Sequence, residues 1–148
     1  MKKCYLDSNI LIAFKDEESS FHQKASQTLE RLIKESYKLF ISSLVLDEFL
    51  FQTKNILRQH KKKKTDERLF LVFRQVLKLP DLYLINPPVE KKKHLKIVKF
   101  ITEFSLRPRD AYHLLIMEEN KIGYFATFDN DFKKVFKKEK IKDIFSVI

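Results

Sequence analysis

Residues 4–14 read CYLDSNILIAF. Residues 4–6 are apolar and short, as in a buried strand, and the run stops at Asp7. Residues 10–14 then read as a short apolar helix. A strand that passes into a helix through a polar junction is the first half of a β–α unit, and its recurrence decides the fold. It recurs at residues 39–41, where Ser42 and Ser43 open a helix running toward Leu57. Residues 82–85 form a third strand. Residues 124–127 form a fourth, with a short helix at 131–137, and residues 144–148 are expected to add an edge strand.

The intervening segments are helical. Ser20 and Gln23 have capping-box spacing and open a helix with Ala25, Leu29, Leu32 and Ile33 on one face. Thr65 and Asp66 start another, whose stripe is Leu69, Val72, Phe73, Val76 and Leu77; Pro80 ends it. Pro87 and Pro88 precede a helix lined by Val98 and Ile101. Pro108 starts the next, carrying Ala111, Leu114 and Leu115 inward. Residues 58–64, RQHKKKK, are too polar to pack and should form the exposed tip of an antiparallel helical hairpin. Alternating strands and helices predict an α/β fold with a parallel sheet covered on both faces.

The chain has 148 residues, enough for one well-buried core, and is expected to be one domain over 1–148. Hydrophobic residues are 44% and charged residues 34%, the balance of a globular chain rather than a disordered one. The formal charge is +10, which attracts polyanions; nucleic acid is the first candidate partner and an acidic membrane surface the second. A Lys-rich surface with no such role is the lesser reading of the charge. Gly123 is the only glycine, so no Gly-rich phosphate loop or dinucleotide fingerprint can exist. The lone Cys4 lies in an apolar strand and reads as an inert core thiol in a reducing, cytoplasmic setting. Asp7 and Asn9 interrupt the first apolar stretch, so it does not read as a secretory leader. No run reaches the length of a membrane span.

Four acids stand at the edges of apolar segments: Asp7, Glu48 in LVLDEFLF, Asp110 in RPRDAYHLL and Asp129 in ATFDNDF. In a parallel sheet, ligands bind beyond the carboxyl ends of the strands. Asp7 and Asp129 follow strands there, and Glu48 lies about one turn into the helix leaving the second strand. Three of the acids, taken alone, also fit a structural role, while Glu48, bordering an apolar face, is harder to dismiss. Asp7 suits an Asx turn or helix cap, Asp110 sits where the helix dipole favours an anion, and Asp129 and Asp131 suit turns. Asp47 points about 100° away from Glu48 around the helix, so one of the pair should face the site. Four converging carboxylates repel one another and call for a cation; at least one should have a raised pKa. Oxygen ligands suit Mg²⁺ or Mn²⁺, and no Cys/His group has zinc spacing. An acidic spot on a basic chain reads first as a metal-dependent nuclease.

Ser8 and Asn9 could cap the first helix, and Asn9 and Thr127 could hold a ligand carboxylate. Arg107 and Arg109 flank Asp110 and could contact substrate phosphates. His113 reads as a partly buried histidine rather than a ligand or base.

The stretches LDSNILI, SSLVLDEF, RPRDAYHLLIMEEN and ATFDNDF, in this order, resemble the PIN-domain family across essentially the whole chain. The resemblance implies an α/β/α sandwich and a Mg²⁺- or Mn²⁺-dependent ribonuclease site. It assigns the acidic positions to Asp7, Glu48, Asp110 and Asp129 and the polar helpers to Asn9 and Thr127. Ser8 stands where threonine is more usual and keeps the hydroxyl. Length and organisation resemble VapC-type toxins, endoribonucleases neutralised by a small antitoxin that commonly form homodimers; the long basic hairpin departs from that pattern. RNA processing or decay is the other role within the family. A binding module without catalysis, or a phosphatase or DNA nuclease using the same ions, are the competing readings of the residues.

Overall fold

The computed structural model describes residues 1–148. Strand β1 (Lys3–Leu6) leads into helices α1 (Ser8–Lys15) and α2 (His22–Lys34), and β2 (Lys38–Ser42) into α3 (Ser43–Gln59) and α4 (Thr65–Leu77). Then come β3 (Leu82–Ile85), α5 (Lys96–Phe104), α6 (Pro108–Glu119), β4 (Tyr124–Ala126), α7 (Lys133–Lys137) and β5 (Lys142–Asp143). The five strands form one parallel sheet in the order β3-β2-β1-β4-β5.

That order sets the layers. The chain steps one way from β1 to β3, then crosses back to β4 and β5. Right-handed crossovers therefore put α1 to α4 on one face and α5 to α7 on the other. The packing agrees: α1 lies on α2 and α3, α3 on α4, and α5 on α6. The step direction reverses between β1 and β4, the switch point at which such sheets open a crevice. Cys4, Tyr5 and Leu6 of β1 are fully buried, as a central parallel strand requires. Burial also drives the Cys4 thiol pKa far up, so it stays protonated and inert. No helix is long and apolar enough to cross a membrane.

The helical hairpin is α3 and α4, joined by an exposed turn at residues 60–64 in which Lys61 and Lys64 adopt left-handed backbone. Its outer surface keeps Phe51, Phe70, Leu71 and Leu77 exposed. Leu77 thus faces water although its spacing places it on the inward stripe; α4 is an outer helix, and of its residues only Val76 is fully buried.

Three other local expectations shift. Ser20 does not cap α2: the cap residue is Phe21, and the neighbouring Ser19 hydroxyl accepts from the Phe21 amide at 3.2 Å. On α5 the inward face is Ile97, Phe100 and Phe104, while Val98 is exposed, because the helix starts at Lys96 and its phase follows the contact with α6. The last strand is Lys142–Asp143, and residues Ile144–Ser146 turn away as a short 3-10 segment capped by the Asp143 side chain.

Candidate active site

Asp7 sits one residue beyond β1, at the switch point. Its amide donates to the Ala126 carbonyl of β4 at 3.0 Å, which ties the junction to the sheet. The side chain caps α1, accepting from the Ser8 amide at 2.8 Å. The helix-cap role therefore holds, but it uses one oxygen only. The other oxygen accepts from the Thr127 hydroxyl at 2.7 Å and from the Asn9 amide group at 3.3 Å. The Thr127 oxygen in turn accepts from the Asp129 amide at 3.0 Å, and the Asn9 carbonyl oxygen accepts from the Phe128 amide at 3.1 Å. Asn9 and Thr127 thus fasten the turn after β4 onto the turn after β1, and the two acids with it.

Asp7 is only 8% exposed, and no lysine or arginine reaches it. Burial pushes its pKa up, with the charge of Asp129 adding to the rise, against the hydrogen bonds from Thr127 and Ser8.

Glu48 comes from α3. Ser42 caps that helix, and Val45 and Phe49 hold its apolar face in the core. Glu48 borders this face at 32% side-chain exposure, whereas Asp47 points outward at 69%. Oxygens of Asp7 and Glu48 and a ring nitrogen of His113 lie within 4.8 Å of one another. His113 is buried, its Nδ1 held 2.8 Å from the Tyr5 hydroxyl, which lies 2.6 Å from the Ser42 hydroxyl. Burial pulls the His113 pKa down to about 4, so the ring is neutral at physiological pH.

Asp110 occupies the first turn of α6, behind Pro108. Carboxylate oxygens of Asp110, Asp129 and Asp131 again fall within 4.8 Å of one another. Burial, then Asp129 and Asp7, push the Asp110 pKa up to about 6. Two groups therefore stand near the switch point, Asp7 and Glu48 with His113, and Asp110 and Asp129 with Asp131, and the charges of Asp129 and Asp7 both reach Asp110. Sequence spacing put His113 in the interior but gave no sign of its closeness to Glu48. Asp131 reads as a turn acid, and its amide does close a turn onto Asp129 at 3.1 Å. Only the approach of α6 shows that its carboxylate joins Asp110.

Arg107 and Arg109 point at acids rather than into free solvent. Arg107 lies 3.0 Å from Asp131 and 3.9 Å from Asp110, and Arg109 lies 3.6 Å from Asp47 and 3.8 Å from Glu48. Both are well exposed, so these pairs are weak and open to exchange. Asp7, Glu48, Asp110 and Asp129 all offer carboxylate oxygen, the donor type of Mg²⁺ and Mn²⁺, and Asp7 has neutral hydrogen-bond partners only. The donor set fits such an ion.

The family model of the PIN domain matches residues 4–138. A comparison with curated proteins gives no match. Among solved structures, VapBC2 from Rickettsia felis, bound to a DNA fragment from its promoter, superposes with a TM-score of 0.66 at 18% identity, covering 95% of this chain and 96% of that one. VapC20 from Mycobacterium tuberculosis, described as a sarcin-ricin loop cleaving toxin, gives 0.62 at 15%, covering 89% and 94%. FitAcB from Neisseria gonorrhoeae gives 0.56 at 15%, covering 95% of each. Likenesses at such identities establish a shared fold.

Proposed function

This chain belongs to the PIN-domain family, and on that premise we propose that it is a metal-dependent endoribonuclease that cleaves RNA phosphodiester bonds. Asp7, Glu48, Asp110 and Asp129 hold Mg²⁺ or Mn²⁺ and are the catalytic residues. Bound there, the ion supplies Lewis-acid polarisation of the phosphoryl oxygen and lowers the pKa of a water. Ser8, Asn9 and Thr127 keep the Asp7 carboxylate aimed through the hydrogen bonds already described. Arg107 and Arg109 release their exposed carboxylate partners and take substrate phosphates instead.

The observation that carries this reading is the buried Asp7 carboxylate, which has hydroxyl and amide partners, acidic neighbours and no basic side chain paired with it. An uncompensated buried charge is costly unless something pairs with it. The surplus of +10 on the chain favours a polyanionic substrate.

Within this reading the protein is the toxin of a toxin–antitoxin pair, acting in the cytoplasm. Support comes from its likeness along nearly the full chain to VapBC2 and VapC20. A small antitoxin, or a second copy in a homodimer, would cover the exposed Phe51, Phe70 and Leu71 of the hairpin.

The test is cleavage of a structured RNA by wild type and Asp7→Asn, each with Mg²⁺, Mn²⁺ or chelator. Wild type should cut only with metal, and Asp7→Asn should bind RNA without cutting it. Full cleavage by the variant overturns the assignment. RNA bound but never cut by wild type points to the binding module instead.

A further inference from the structure

Beside the acids lies a run of aromatic rings whose inner members, Phe128 and Phe145, pack against the core, while its outer member, Phe21, does not. Phe21, Phe128 and Phe145 form a run of stacked rings: Phe21 on Phe128 at 4.7 Å and 25°, and Phe128 on Phe145 at 5.5 Å and 15°. Phe128 stands between Thr127 and Asp129, and Asn9 grips its amide, so the stack is anchored directly to the acidic turn. Phe21 ends the run at the head of α2 and keeps 48% of its surface exposed. Scattered exposed apolar residues need no explanation. This one belongs to an ordered stack, and it forms part of the wall of two clefts. One, of about 320 Å³, also takes in Ser8, Asn9 and Glu48; the other, of about 230 Å³, takes in Thr127, Asp129 and Lys133.

Cations lie along the stack. The Lys24 ammonium is 4.4 Å from the centre of the Phe145 ring and 5.6 Å from that of Phe128. Lys133 faces the same cleft as Asp129. A half-exposed aromatic face with ammonium groups nearby matches an unpaired nucleobase and its flanking phosphates, since bases stack on aromatic side chains irrespective of identity. The lysines offset the repulsion that the acids exert on those phosphates.

We propose that Phe21 is a stacking platform for one unpaired base of a single-stranded RNA, held next to the scissile phosphate, with Lys24 and Lys133 on its backbone. The choice of ligand rests on the nuclease reading. A base inside a duplex is stacked on its neighbours and cannot also lie on Phe21, so the platform selects single-stranded segments.

The chain contains no tryptophan, so Phe21→Trp places a single fluorophore at the platform. Combined with Asp7→Asn to keep the ligand whole, this variant is titrated with a short single-stranded RNA and with an abasic chain of equal charge. Saturable quenching by the RNA and not by the abasic chain is the expected result. Equal quenching by both, or none with either, overturns the proposal. In parallel, Phe21→Ala in the otherwise native chain should raise KM for a single-stranded RNA about tenfold and change kcat little, with Phe21→Trp restoring KM. An unchanged KM in Phe21→Ala also overturns it. The two readings fail separately. Base-dependent quenching without wild-type cleavage sinks the nuclease and leaves the platform, whereas cleavage without quenching does the reverse.

Discussion

Asp110→Asn should make the metal-free protein more stable, although it removes a proposed ligand. The reason is the raised pKa of Asp110, about 6 against an ordinary 3.8. Its sign runs against the usual carboxylate. A carboxyl that holds its proton more tightly when folded contributes fully below the unfolded value of 3.8, and that contribution is lost as pH rises through about 6. Above that, the ionised group sits among Asp129 and Asp7 at a cost. Two pKa units correspond to at most ~3 kcal/mol. The side chain is 17% exposed and Arg107 stands 3.9 Å away, so screening leaves about 1–2 kcal/mol.

For a chain of this size that is a rise in Tm of roughly 2–8 °C at neutral pH. The gain should shrink steadily on acidification and be nearly gone by pH 3.8, where the wild-type group is itself neutral. The assay is circular-dichroism melting of wild type and variant in chelator across that pH range, repeated with Mn²⁺. Saturating Mn²⁺ should stabilise wild type by about 2–3 kcal/mol at one hundred times Kd, and Asp110→Asn by much less. Three results would each defeat the reasoning: a variant destabilised at neutral pH, a gain that ignores pH, or a variant that responds to Mn²⁺ as wild type does.

Tyr5→Phe removes the hydroxyl shared by Ser42 and His113 and leaves both buried groups a partner short, costing about 1–3 kcal/mol by chemical denaturation. It should also slow cleavage, because His113 loses the contact that fixes its ring beside Glu48; unaltered stability and rate would show that the hydroxyl positions nothing. Tyr37→Phe is the contrast: its hydroxyl is buried with no partner, so the change should be neutral or stabilising, and a loss above about 1 kcal/mol would reveal an unseen partner.

Much of the architecture was legible because it depends on local signals. The short apolar runs, the proline that opens α6 and the serine cap of α3 set four of the five strands and several helix starts from side-chain chemistry alone, whereas α5 begins only at Lys96, well beyond Pro87 and Pro88. Asp7, Glu48 and Asp129 could be gathered at one edge because strand ends in a parallel sheet share an edge whatever their order, whereas Asp110 stands at the start of α6 and reaches it only through the placement of that helix. What failed was phase and packing. Leu77 and Val98 have helical spacing compatible with burial, but which arc of a helix faces inward depends on what covers it, and spacing says nothing of the cover. The last strand slid to Lys142–Asp143 because pairing with β4, rather than hydrophobicity, selects its residues.

The residues by themselves determined the chemistry available: carboxylates at strand and helix ends, a strongly basic composition and no glycine-rich loop. Tertiary structure alone decided which charges meet. Arg107 lies against Asp131 across 24 positions of chain, Thr127 against Asp7 across 120, and Tyr5 against His113 across 108. Ionisation follows from these meetings, since a pKa depends on burial and on charges within a few ångströms. Neither quantity is a property of a residue's neighbours in sequence. The same holds for the three-ring stack, whose members come from the cap of α2, the turn after β4 and the segment after β5, and which exists only because the sheet carries them to one place.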